Sequence, residues 1–177
     1  MYNHWRKDLK DSIIALESIK NTILPKLIGG EIHSIEDSEN SILIKMDVTS
    51  GIDYIRENET GLQGIAARVQ WGNDWDTFTI RSKRHTITGT DTELKKRLSQ
   101  IDEGYFYPAF TLQAYFDNRQ ENNLLSIAVI RTVDLYSVYL ESPHLFESNK
   151  SDNEFIFIRW NKISKYIKRY PKIMVPT

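Results

Sequence analysis

A chain of 177 residues, 40% hydrophobic and 27% charged, is long enough to bury a core and too apolar to stay disordered, so one domain over residues 1–177 is expected. The absence of cysteine excludes disulfides and thiolate metal sites, and His4, His33, His85 and His144 are too scattered to form a zinc pair. No apolar run approaches the roughly 18 residues of a membrane span, and MYNHWRKDLKD has no secretory h-region, so a cytoplasmic protein with no membrane partner is expected.

The first element is an amphipathic helix. Trp5, Leu9, Ile13, Leu16, Ile23 and Leu27 fall on one helical stripe, interrupted by Lys20. Pro25 is placed to kink it and Gly29-Gly30 to stop it. Residues 31–50 stay open: EIHSIEDSEN reads as a strand end or a loop, and SILIKMDV as a short helix or a strand. Two alternating runs follow. In 63–71, Ile65, Ala67, Val69 and Trp71 point one way and Ala66, Arg68 and Gln70 the other. In 77–83, Phe78 and Ile80 alternate against Thr77, Thr79, Arg81 and Lys83. Joined by the turn WGNDWD, the two runs are expected to pair as a hairpin.

A second helix is signalled by a capping box of Thr90 and Glu93 and by the stripe Leu94, Leu98 and Ile101, with Gly104 ending it. Strands are expected at 109–116 and 124–132, the latter apolar on both faces and therefore central. Asp134 is expected to cap a short helix that Pro143 closes. EFIFIRW reads as a last strand, and Asn161 as the cap of a terminal basic helix. The aromatic run Tyr105, Phe106 and Tyr107 is expected to pack beneath the sheet. Strands in runs between helices give an α+β class, with a central mixed β-sheet flanked by helices in three layers.

Charge is unevenly spread behind a net value of −1. Acids dominate residues 31–59. From Ile156 to the end there is none, while Lys162, Lys165, Lys168 and Arg169 are interleaved with Trp160, Tyr166 and Tyr170. Such a tail suits a polyanionic partner, or is the solvated face of a helix.

The chemistry concentrates in Gly51–Arg84. Asp53 stands just upstream of runs whose polar faces carry Arg68, Gln70, Arg81 and Lys83. An acid beside a basic, hydrogen-bonding sheet face suits a phosphodiester site. It is equally the pattern of an ordinary solvated face, and Asp53 as a backbone cap would be purely structural.

This order of elements, with Asp53 in GID and Gln70 in RVQ, resembles the core of the PD-(D/E)XK nuclease superfamily across residues 5–132. That core runs helix, three strands, helix, strand. The resemblance implies a Mg²⁺-dependent nuclease in which Asp53 and a second acid, Asp47 or Glu31, ligate the metal, and Gln70 replaces the motif acid. Gly72 stands where the family has its lysine, so Lys83 becomes the candidate catalytic cation. Arg68, Arg81 and Arg84, with Lys165, Lys168 and Arg169, become the candidate nucleic-acid contacts. The ARVQWG…WDTFTIR run also resembles small phage or mobile-element proteins of unassigned function. The alternative expectation is a non-enzymatic accessory or inhibitor protein that binds nucleic acid or an acidic protein. Trp75 is expected either to pack in the core or to stack on a base.

Overall fold

The computed structural model describes residues 4–35, 46, 49–83, 91–148 and 154–170, with residues 4–6 described as backbone. The elements in order are α1 (His4–Lys20), α2 (Leu24–Ile28), β1 (Glu31–Ser34), β2 (Tyr54–Asn58), β3 (Gly61–Trp71), β4 (Thr77–Arg81), α3 (Glu93–Asp102), β5 (Phe110–Phe116), β6 (Leu124–Arg131) and α4 (Thr132–Glu141). A 3-10 turn (Pro143–Leu145), β7 (Glu147–Ser148), β8 (Phe155–Arg159), a second 3-10 turn (Trp160–Ile163) and β9 (Ile167–Tyr170) complete the chain. The class is α+β. A six-stranded mixed sheet, order β1-β2-β3-β5-β6-β9, forms the centre, and a three-stranded sheet, β4-β8-β7, lies over part of it. Every pair in the central sheet is antiparallel except β3 with β5.

One face of the sheet carries Tyr54, Ile65, Leu112, Ala114, Phe116, Ile127 and Val129, packed against Leu16, Ile19, Ile23, Leu24, Leu27 and Ile28. Of the expected helical stripe, Leu16, Ile23 and Leu27 are buried in this core, Ile13 is half-buried and Leu9 is exposed. The helix also breaks after Lys20 and restarts with Pro25 in the first turn of α2, where a missing N–H does no harm. Gly30 ends this passage with φ 76, and a Cβ there would collide with the Glu57 carbonyl.

The expected hairpin between 63–71 and 77–83 does not form. β2 is the antiparallel partner of β3, and β4 leaves the sheet altogether to pair with β8. The reason lies in the two apolar faces. Ile65, Ala67 and Val69 belong to the core under α1 and α2, whereas Phe78 and Ile80 belong to a second core on the opposite side of the sheet. The link between them turns through Gly72 (φ 93) and Asp76 (φ 50), and Asp74 Oδ1 holds it by accepting from Asp76 N–H (3.2 Å) and Ser126 Oγ (2.8 Å).

The second core joins Phe78, Tyr115, Ala128, Ile130, Leu135, Tyr136, Ile158 and Trp160. Trp160 meets Phe78 at 5.8 Å and Tyr115 at 5.7 Å between ring centroids. The Tyr115 hydroxyl ties the two sheets together: it accepts from Thr77 N–H (3.3 Å), shares a 2.7 Å bond with Thr77 Oγ1 and donates to the Thr77 carbonyl (3.0 Å).

Four further expectations change. The α3 cap is Thr92, whose Oγ1 accepts from Lys95 N–H at 3.3 Å, while Thr90 lies outside the described residues. α4 begins at Thr132, and Asp134 sits inside its first turn, paired with Arg131. The terminal basic helix is instead a 3-10 turn followed by β9, because Ile167 and Tyr170 complete the sheet beside β6. Tyr105 and Phe106 are exposed rather than packed beneath the sheet.

Burial pushes the Tyr115 phenol up to about 12, only partly offset by the bonds to Thr77. An unfolded tyrosine ionises near 10. The unfolded chain therefore loses this proton first, and stability falls as pH rises from about 10 towards 12. Tyr115→Phe is expected to lower the unfolding free energy by about 1–3 kcal/mol near neutrality by stranding Thr77. It is also expected to flatten the alkaline fall. Urea unfolding across pH checks both.

Candidate functional site

The site begins where the β2–β3 ladder stops. Asp53 N–H donates to the Ile65 carbonyl at 2.9 Å, the last backbone rung. One step further the backbone has already diverged, and the Asp53 carboxylate takes over: its Oδ2 accepts from Ala67 N–H at 2.6 Å. β3 runs on to Trp71, paired over this stretch with β5 alone. Because backbone groups alternate along a strand, those of Ala67, Val69 and Trp71 point to the side β2 has left. No strand pairs with that side among the described residues.

The divergence opens a cleft of about 1250 Å³. Residues Ala66 to Trp71 run along it, with Asp53 and Gly51 on one wall. β4 contributes Thr79 and Arg81, α3 contributes Glu93, Lys96 and Arg97, and Trp75 and Phe155 line it as well. On the other side of the strand edge lie Asp8, Ser12 and Arg119.

A compact network organises the cationic wall. Arg68 Nη2 donates to Glu93 Oε2 at 2.6 Å, and the same oxygen accepts from Arg81 N–H at 3.2 Å. Phe155 receives both guanidiniums over its ring, Arg68 at 5.1 Å and Arg81 at 4.9 Å. Beneath them Gln113, directly opposite Arg68 in the β3–β5 register and 1% exposed, accepts from Thr79 Oγ1 at 3.0 Å. Its Nε2, and the Nε of Arg81, are buried donors without an acceptor. An unsatisfied buried donor costs about 1–3 kcal/mol.

Arg97 is 4% exposed and donates to the Ser50 carbonyl (2.7 Å) and Gln100 Oε1 (2.8 Å), which fixes the segment entering Asp53. Burial lowers its pKa from the usual arginine value, opposed by Tyr136 and Glu93. Burial, reinforced by the charge of Glu93, raises the Tyr136 pKa. Arg119 is held by Asp8 and Asp11 and covers the Trp71 ring at 4.4 Å, so Trp71 is fixed, whereas Trp75 is 57% exposed.

Of the residues singled out by sequence, the structure brings Asp53, Arg68, Gln70 and Arg81 to this one cleft. Lys83 is exposed past the end of β4, its N–H on the Glu154 carbonyl at 3.1 Å, and is not among the lining residues. Asp47 and Arg84 lie outside the described residues. The tail cations do not form one surface. Lys168 stands opposite Val129 and Arg169 opposite Ala128, so their side chains leave on opposite faces. Lys165 sits by Tyr166, and Arg169 is directed to Trp160 and Asp76.

Glu93, expected only as part of a helix cap, and Lys96, Arg97, Gln113 and Arg119 join the cleft without having been singled out as site residues. A signal existed in α3: Glu93, Arg97 and Gln100 repeat at helical spacing beside the apolar stripe Leu94, Leu98 and Ile101.

Among the described residues, the cleft groups considered for a Mg²⁺ site are already engaged or carry no charge. Asp53 has one oxygen on Ala67 N–H, Glu93 is held by Arg68 and Arg81, and Gln70 is neutral. Glu31, the other acid considered, stands with His33 on β1 beside Glu57 of β2, their ligand atoms within 4.8 Å of one another, but all three are exposed and none lines the cleft. Comparison with protein-family models, curated proteins and solved structures gives no match.

If Asp53 acts as a rung of the sheet, Asp53→Ala is expected to destabilise the fold by about 1.5–3 kcal/mol, the worth of a hydrogen bond to a charged group. Asp53→Asn keeps an acceptor oxygen and is expected to lose clearly less. Denaturant titration of the two variants separates this role from one resting on charge.

Proposed function

We propose that the cleft binds single-stranded nucleic acid, and that the protein is an accessory binder built on a nuclease-like scaffold. The observation that carries this reading is the exposed Trp75 on the same cleft as Arg68, Arg81 and Lys96. Aromatic faces accept unstacked bases, and neighbouring cations follow the phosphates; a duplex offers no unstacked base to the indole. The order α1, β1–β3, α3, β5 supports the scaffold, being the helix, three strands, helix and strand expected of the PD-(D/E)XK core, with β4 as a diversion into the second sheet.

Binding without cleavage follows from the acids. Asp53 is used by the sheet and Glu93 by the arginines. Cleavage of the bound strand is a second reading, favoured by one observation: Lys96 reaches the cleft that Asp53 and Gln70 line, and Lys83 does not. The basic β9 end, split between two faces, supports no second binding surface.

Fluorescence anisotropy with a labelled single-stranded oligonucleotide tests the proposal. Affinity is expected to fall with salt as phosphate contacts are lost. Trp75→Ala is expected to weaken binding roughly tenfold, as for the loss of one stacked base. Binding that is absent, or unchanged in Trp75→Ala, contradicts the reading, and nicking of the same strand on addition of Mg²⁺ that is lost in Lys96→Ala favours the second one.

A further inference from the structure

The floor of the cleft holds an arrangement that strand binding alone does not explain. Gln113 is almost wholly buried, lines the cleft, and has its oxygen already occupied by Thr79. Its amide nitrogen donates to nothing. Arg81, two residues on from Thr79 along β4, likewise has a buried Nε with no acceptor. Arg68, opposite Gln113 in the β3–β5 register, and Arg81 both reach the Phe155 ring, at 5.1 and 4.9 Å. Native interiors rarely strand donors, and where they do a missing acceptor is one explanation. Glu93 satisfies part of this group, through Arg68 and the Arg81 backbone, but neither orphaned nitrogen.

We infer that this recess is a seat for a terminal phosphate, with the Gln113 amide and the Arg81 Nε–H donating to its oxygens and Arg68 balancing its charge. The burial of Gln113 selects the class. An internal phosphodiester carries a sugar on each side and stays at the surface of a groove, whereas a phosphate monoester presents three oxygens and enters end-on. Arginine suits the task, because its fork can hold Glu93 or Phe155 and still direct Nε–H at an oxyanion. The inference rests on the strand-binding reading for its ligand, but the seat can be tested without it.

The test compares oligonucleotides of one sequence bearing a 5′-phosphate, a 3′-phosphate or hydroxyl ends. One phosphorylated form is expected to bind roughly tenfold more tightly than the hydroxyl form, about the worth of one hydrogen bond to a charged group. In Gln113→Leu and in Arg81→Lys that ratio is expected to fall towards one. In parallel, inorganic phosphate is titrated into the ¹⁵N-labelled wild-type chain while the Gln113 side-chain amide and Arg81 Nε–H resonances are followed; both are expected to shift. If no oligonucleotide binds but these resonances move, the seat stands and the strand-binding reading falls. Equal affinity for all three ends, with the two resonances unmoved by phosphate, overturns the inference.

Discussion

The parting of β2 from β3 at Asp53 is the constraint on which the rest of the structure depends. A strand of eleven residues is paired on one side for only its first half. A flat, open edge of this kind invites uncontrolled pairing. Here the first exposed rung is closed by a carboxylate, and the remainder is sunk in a cleft with arginines and an indole along its walls. The acid that resembles a catalytic one is first an architectural one. It replaces a backbone carbonyl at the point where the chain must turn away.

The walls follow from the second sheet. β4 leaves β3 because its apolar residues belong to the opposite core, and the Tyr115–Thr77 bonds hold it above β5. That position places Thr79 against Gln113, and β8 brings the Phe155 ring within reach of both the Arg68 and the Arg81 guanidinium. α3 then closes the end with Glu93, Lys96 and Arg97. The cleft is the space left between the two sheets, and its cations come from elements distant in sequence.

This explains what was legible in the sequence. Alternation in 63–71, the apolar 124–132 run and the stripe of the first helix report burial, which is local in pattern, and each matches an element. The pairing of 77–83 was not legible. Alternation tells which residues share a face and not which strand lies beside them, and the core that claims Phe78 and Ile80 is assembled from residues 115–163. The tail misled for a related reason: cations at near-helical spacing in 162–172 are also compatible with a short strand, and the apolar pair Ile167 and Tyr170 decides for the sheet edge. Within the site, Asp53, Arg68, Gln70 and Arg81 were visible because they fall on one polar strand face. Gln113 was hidden inside an apolar-looking strand, where its role arises only once Thr79 and Arg68 are above it.

The most direct measurement is amide hydrogen exchange along β3 in the free protein. A protected amide is expected at Ala67, held by the Asp53 carboxylate, and at Arg68 and Gln70, which face β5. Val69 and Trp71, in the same strand but facing the open side, are predicted to exchange quickly. Protection of Val69 and Trp71 equal to that of Arg68 and Gln70 would mean that the edge is already paired, and would contradict the account.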